Sequence, residues 1–252
     1  MNILCTICGR AGSQGIKNKN IRDFLGYPLP FYTLAALDLF MDKNPDINCD
    51  IVVNTDSVEL IGLLSRKGLP SVSSIHRRKE LGLDSTPKVL VIQNCLVEME
   101  VKTNKRYDMI LDLDITSPLR TVADIEALIK KKNQSIADVV FSVTDARRNP
   151  YFNMVKKTKT GYERVLSSNF NTRQEAPEIF DMNASLYAYS PEFLKSGKNI
   201  FEGSCDIIKM YDTAVLDLDH ENDFEMMQAI AQYLFQMKPD FNELFLRVAG
   251  YI

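Results

Sequence analysis

The chain has 252 residues, enough for one large domain with a full core, and its 45% apolar and 25% charged residues are in ordinary globular proportion. A formal net charge of −3 gives no global field favouring nucleic acid or an anionic membrane, so any anion site has to be local. No apolar run approaches the ~20 residues of a membrane span, and the first is too short for a signal peptide, which points to a cytoplasmic protein with no membrane partner.

The elements read in chain order as an α/β protein on a largely parallel sheet, in which short apolar strands alternate with amphipathic stretches. Ile3 to Cys8 is the first strand, and it runs into Gly9-Arg10-Ala11-Gly12-Ser13-Gln14-Gly15-Ile16-Lys17-Asn18-Lys19-Asn20. A helix is predicted over Pro30 to Met41, with Pro30 suited to its first turn and Leu34, Leu37 and Phe40 on one face. Ile51 to Asn54 is a second strand, and Thr55-Asp56-Ser57 caps a helix over Val58 to Lys67. Ser71 to Ser74 is a weak strand, and Thr86-Pro87 opens a helix to about Glu100 that buries Val89, Ile92, Leu96 and Met99. Met109 to Leu113 reads as the central strand, followed by Asp114-Ile115-Thr116-Ser117-Pro118-Leu119-Arg120 and a helix from Val122 to Lys132. Val139 to Val143 is another strand. The pattern then changes to short β-like pieces around Lys156 to Gly161, where a lobe leaves the main sheet. Ala184 to Tyr189 and Ala214 to Leu218 are further strands, Phe224 to Met237 a closing helix, and the tail after Pro239 holds one short helix at most.

Five scattered cysteines argue against a disulfide framework. Cys5 and Cys8, three apart on a strand, point to opposite faces and share neither a metal nor a disulfide. The two histidines, His76 and His220, are too isolated for a zinc site or a Ser-His-Asp triad.

Ligands of open parallel sheets bind beyond the carboxyl ends of the strands. The glycine loop, Thr55-Asp56-Ser57, the Thr-Ser-Pro-Leu-Arg turn and Asp217 to Asp219 all fall at or after strand ends, so four distant polar segments are expected around one cleft. The glycines let backbone N–H groups approach anionic oxygens while Arg10, Lys17 and Lys19 supply charge. The loop matches neither the Walker A pattern nor G-x-G-x-x-G, and a plain surface turn is the alternative. Asp217 and Asp219, two apart on a strand, share a face with Cβ atoms roughly 6–7 Å apart. A bridging Mg²⁺ removes a repulsion of about 4 kcal/mol between such carboxylates; the alternative is an acidic helix start, with Glu221 and Asp223 following. Asp112 and Asp114 repeat the spacing, and for them a sugar contact or a cap on the turn ranks ahead of a second metal.

The chain resembles the acylneuraminate cytidylyltransferases, which make CMP-activated sialic-acid-like sugars, from Ile3 to about Ala229. The resemblance rests on Arg10-Ala11-Gly12-Ser13-Gln14-Gly15 with Lys19-Asn20, Val53-Asn54-Thr55-Asp56, Arg77 with Glu80-Leu81, Thr116-Ser117-Pro118-Leu119-Arg120-Thr121, Arg173-Gln174 and Asp217-Leu218-Asp219. The segments Arg147 to Asn153 and Asp181 to Ser185 look most like the branch acting on legionaminic acid. The resemblance implies a Rossmann-like nucleotidyltransferase fold in one domain over 1–252, with a dimerisation lobe at about 145–180 and a homodimer. It implies that Arg10, Ser13, Lys19 and Asn20 hold the CTP phosphates, that Ala11, Gly12, Gly15, Arg77 and Ser117 complete the nucleotide site, and that Asp114, Arg173, Gln174 and Asn183 meet the sugar. Asp217 and Asp219 would bind Mg²⁺ (or Mn²⁺). Gln14, Asp114, Phe152 and Asp181 stand where the sialic-acid enzymes usually carry Lys, Gln, Lys and Arg, which fits a less hydroxylated, more apolar sugar.

The implied reaction joins CTP to a nonulosonic (2-keto-3-deoxy) acid, N,N'-diacetyllegionaminic acid first, with Arg10, Lys19 and Asp219 as the catalytic residues and pyrophosphate released. A CMP-sialic acid synthetase is the alternative, then a nucleotidyltransferase acting on a sugar 1-phosphate, and last a non-catalytic nucleotide-binding protein.

Overall fold

The computed structural model describes residues 1–12, 15–170, 172–212, 218 and 220–252, apart from the side chain of Arg173. Strand β1 (Asn2–Cys8) leads through the glycine loop to a small hairpin, β2 (Asp23–Phe24) and β3 (Tyr27–Pro28), and to α1 (Leu29–Lys43). Then come β4 (Asn48–Thr55), α2 (Val58–Leu64), β5 (Val72–His76), α3 (Lys88–Thr103), β6 (Met109–Leu113), α4 (Val122–Gln134) and β7 (Val139–Asp145). A second hairpin, β8 (Val155–Thr158) and β9 (Gly161–Arg164), precedes β10 (Phe180–Tyr189), α5 (Pro191–Ser196) and β11 (Cys205–Lys209). Two helices close the chain, α6 (Glu221–Met237) and α7 (Pro239–Ala249).

Seven strands form the main sheet in the order β11-β7-β10-β6-β1-β4-β5. All pairings are parallel except those of β10, which runs antiparallel to both β6 and β7. The sheet is covered on both faces, as parallel strands require. On β1 the period-two alternation sends Ile3, Cys5 and Ile7 to the core shared with α1, α4, α6 and α7, and Leu4 to the core under α3. Cys5 and Cys8 accordingly face different layers, Cys5 against Cys49 and Cys8 against Cys95, and the cysteines are free.

Several expectations change. Helix α1 buries almost every side chain from Leu29 to Leu37 rather than one stripe, because α4 and α7 pack against it as well as the sheet. The weak strand read at Ser71–Ser74 is the edge strand β5, which runs on to His76. The strand β11 and the helix α5 are additions to the sequence reading, while most of the expected strand at 214–218 lies outside the described residues.

Helix starts follow local chemistry. Ser57 Oγ accepts from Leu60 N at the head of α2, and Thr121 and Asp124 make a capping box at the head of α4. Prolines sit in the first turns of α1, α5 and α7, where no backbone donor is lost. No described helix is long and apolar enough to cross a membrane.

Candidate active site

The carboxyl ends of β1, β5 and β6 border a cavity of about 430 Å³. The glycine loop forms one wall. Gly9 is closely packed there: a Cβ on it would lie 2.7 Å from Ile115 Cδ1 and 2.9 Å from Leu60 Cδ2, so these side-chain ends would have to shift. Gly12 and Gly15 hold φ of 69° and 88°, in the region glycine tolerates. Asp56, just beyond β4, accepts from Ala11 N at 2.7 Å, and Asn20 Nδ2 donates to Arg10 O at 3.0 Å, so one distant segment and the far end of the loop itself pin it.

Arg10, Lys19, Asn20 and Arg77 all line this cavity. Arg10 forms an ion pair with Asp84 and donates to Gly82 O. Arg77 is buried, its Nε donating to Asn54 Oδ1 and a terminal nitrogen to Asn54 O, each at 2.9 Å. Its cationic plane is thus fixed by neutral partners at the end of β4. Ala11 and Gly12, with Arg10 and Asn20, border a smaller neighbouring cavity of about 190 Å³.

Lys19 Nζ donates to Leu218 O at 2.7 Å, and Arg22 pairs with Glu221 at 2.6 Å. The early basic loop and the chain around residue 218 therefore meet across 199 positions of sequence. Ser13, Asp217 and Asp219 lie outside the described residues. Among the described residues no three His, Cys, Asp or Glu side chains converge on a metal position.

The opposite flank of the loop is the end of β6. Asp112 is wholly buried there, and its Oδ1 accepts from Thr6 Oγ1 at 2.7 Å. Asp114 Oδ1 accepts from both Thr116 N and Thr116 Oγ1, which caps the turn. Lys88, the first residue of α3, places Nζ 2.7 Å from Oδ2 of each carboxylate. Its bond to Asp114 is aligned as a hydrogen bond, whereas toward Asp112 the contact is an ion pair without that alignment. Burial opposes both charges; even so, the two carboxylates hold the Lys88 ammonium well above the usual lysine range, and Lys88 with Thr116 holds Asp114 well below the usual carboxylate range.

Arg120, from the same turn, is fully buried, and burial pushes it down to about 10. It donates to the carbonyls of Asp114 and Ser117, so it braces the turn from behind. Ser117, expected at the nucleotide, is buried and outside the residues that line the cavity; its carbonyl serves Arg120.

Two of the expected sugar contacts lie elsewhere. Gln174 follows Arg173 in a short turn and lines a separate cavity of about 390 Å³ with Arg148, Asn149, Glu178 and Lys209. Asn183 sits at the irregular stretch of β10 between Met182 and Tyr187, where Ala184 has φ 50°. Its Oδ1 accepts from Ser142 Oγ at 2.6 Å and from Ser185 N, and it lines neither cavity. A strand-interior amide with a hydroxyl partner across the ladder is satisfied inside the sheet.

Sequence reasoning missed Lys88, although a signal was present. A cation in the first turn of a helix faces the positive end of the dipole, a cost that flags an acidic partner. Asp112 and Asp114, read separately as a carboxylate couplet, were that partner.

A mostly parallel sheet with a glycine-bearing loop and cations at its carboxyl edge is the arrangement in which α/β proteins bind anionic ligands such as nucleotides. The solved structure of a CMP:2-keto-3-deoxy-manno-octonic acid synthetase complexed with CTP shares the fold, with a TM-score of 0.63 at 14% identity over 92% of this chain and 99% of that one. The family model described as Cytidylyltransferase matches residues 4–238, and the chain belongs to that family of nucleotidyltransferases. It is 33% identical over 226 residues to the post-translational flagellin modification protein B of Campylobacter coli (90% of this chain, 93% of the relative). It is 32% identical over 236 residues to the CMP-N,N'-diacetyllegionaminic acid synthase of Campylobacter jejuni (94% and 96%). An N-acylneuraminate cytidylyltransferase of Streptococcus agalactiae is 26% identical over 89% of this chain and 52% of its own length.

Proposed function

We propose that this protein transfers the cytidylyl group of CTP to a nonulosonic acid, N,N'-diacetyllegionaminic acid in particular, giving the CMP-sugar and pyrophosphate. The Lys19–Leu218 bond carries the reading, because it ties the basic loop to the stretch flanked by Asp217 and Asp219. The similarity to the Campylobacter jejuni synthase supports the choice of sugar.

In this reading the anomeric hydroxyl of the acid attacks the α-phosphorus of CTP. A new O–P bond forms, the bond to the pyrophosphate oxygen breaks, and Asp219 takes the hydroxyl proton. Arg10 and Lys19 stabilise charge on the leaving pyrophosphate, and Arg10 exchanges its partner Asp84 for the nucleotide to do so. Arg77, held by Asn54, orients the nucleotide against the ends of β4 and β5. The oxygen donors of Asp217 and Asp219 suit Mg²⁺ or Mn²⁺, which would neutralise phosphate charge there.

The lobe at 145–180 exposes Met154, Val155, Tyr162 and Leu166, which supports a homodimer formed through it. The enzyme works in the cytoplasm.

The experiment is pyrophosphate release by the purified protein with CTP and Mg²⁺ against legionaminic, sialic, pseudaminic and KDO acceptors. Highest kcat/KM with the legionaminic acid is expected; a clear preference for sialic acid replaces the sugar assignment. Asp217→Ala and Asp219→Ala should each abolish turnover, and Mg²⁺-dependent release retained in both rejects the metal and proton roles.

A further inference from the structure

Lys88 lies on the β6 side of the glycine loop, while Arg10, Lys19, Asn20 and Arg77 stand at or after the ends of β1 and β5. We propose that Lys88 is the sugar-facing donor of this active site: held between Asp112 and Asp114, it gives an N–H to a neutral acceptor, an amide carbonyl or hydroxyl oxygen, on the nonulosonic acid. The inference rests on the reading of the site as one that forms CMP-sugars.

An ammonium has three donors. Among the described residues one is aligned on Asp114 while Asp112 is an ion-pair partner only, and the Lys88 side chain keeps 36% of its surface where it lines the cavity. That leaves the ammonium donor capacity toward the cavity. Its surroundings offer an anion no net attraction. Lys88 and the buried Arg120 on the same turn balance Asp112 and Asp114, so the cluster is close to neutral. A neutral oxygen suits it.

The position is also rigid. Asp112 is fixed by Thr6 and Asp114 by the turn at Thr116, both at the end of the central strand, so the ammonium has little freedom to follow a substrate. Beside it stands a carboxylate with lone pairs to spare. An amide carbonyl is a stronger acceptor than a hydroxyl, and the carboxylate beside the ammonium can accept from a separate hydroxyl or N–H of the same sugar. The pair therefore favours an acylamino sugar over one carrying only hydroxyls and a carboxylate. Topology favours the acid over the nucleotide as owner of that amide, since Arg77, assigned to the nucleotide, lies across the loop at the end of β5 while Lys88 faces the end of β6.

The test compares Lys88→Met, Lys88→Arg and the double variant Lys88→Met/Asp112→Asn in steady-state assays. The double variant matters because Lys88→Met alone strands the charge of Asp112 in the core. The expected result is a KM for the acylamino acid raised tenfold or more in both Met variants, with KM for CTP within twofold. Preference for the acylamino acid over KDO should fall, and Lys88→Arg should recover part of both. A KM for the acid within twofold of wild type in the double variant makes the lysine a mere counter-ion to Asp112 and overturns the proposal. An equal rise in KM for CTP also overturns it, by assigning Lys88 to the nucleotide. Wild-type turnover with any acid of the panel upholds the parent reading whatever the variants do. Its absence overturns both, whereas turnover with an unaffected double variant removes only the role of Lys88.

Discussion

The main sheet and the hairpin lobe are held by different means. Every residue of β6 is buried, whereas all four residues of β9 and three of the four in β8 are exposed. The sheet is stabilised by apolar burial on two faces. A lone two-stranded hairpin is marginal in water, so β8 and β9 depend on local ties. These are Val165 N to Met154 O, Leu166 N to Pro150 O, the edge contact of Tyr151 with Phe170, and Arg164 over Phe152. The cavity that holds Arg10, Lys19 and Arg77 lies against the buried sheet, while the lobe leaves Met154, Val155, Tyr162 and Leu166 exposed.

The largest effect that sharpens this contrast is in the sheet. Leu111 is wholly buried at the centre of β6. Leu111→Ala should cost about 2–5 kcal/mol, since the packed layers on both sides relax little into the space left. Urea unfolding measures it. A loss below 1 kcal/mol would mean that the central strand tolerates a void and that burial is not what holds it.

A smaller effect is tied to pH. Asp114 has its folded pKa below the ordinary carboxylate value, so the folded state binds that proton more weakly than the unfolded chain. Its contribution is therefore complete above about pH 4 and is lost as pH falls below that. Lys88 is raised, so its contribution is complete below about pH 10 and is lost as pH climbs further. Asp114→Asn should lower stability at pH 7 by on the order of 2 kcal/mol, and the gap from wild type should close below about pH 4. Denaturant midpoints across pH 3–8 measure it. A gap that stays constant over that range removes the Lys88–Asp114 pair as its cause.

The same division explains what could be read from the chain. The strands and helices of the sheet announce themselves because two-sided burial forces apolar runs and caps force Ser, Thr, Asp and Pro at fixed places. Met109–Leu113 falls where its run predicts, and α4 begins after the Thr121 cap. The place of Arg10, Lys19 and Asn20 at the cavity was legible for a related reason, since their loop follows the first parallel strand, whereas Arg77 was reached only through the family resemblance. Lys88 was not legible, because its role depends on two carboxylates that a helix start brings within reach from another element. β11 was equally silent: Cys205–Lys209 has one buried residue in five and pairs at the edge, so its pattern is that of a polar loop. Asn183, expected at the sugar from the family resemblance, accepts from Ser142 inside the sheet, a pairing that depends on strand register.

The smallest effect belongs to the lobe. Tyr162 on β9 keeps 74% of its surface and Val155 on β8 keeps 66%, so neither contributes much burial within one protomer. Exposed substitutions of this kind change stability by within about 0.5 kcal/mol. Tyr162→Ser and Val155→Ser should therefore leave the unfolding midpoint almost unmoved when it is measured at a concentration where wild type is monomeric. At higher concentration wild type should sediment at twice the chain mass of 28.7 kDa and the double variant at that mass itself, with midpoints that separate because association stabilises only the folded dimer. If the midpoint falls by more than 1 kcal/mol in the dilute sample, the two side chains belong to the fold and the contrast between sheet and lobe fails. If both proteins sediment as dimers with equal affinity, the contact between copies lies on another face, and the apolar surface of the hairpin needs a different partner.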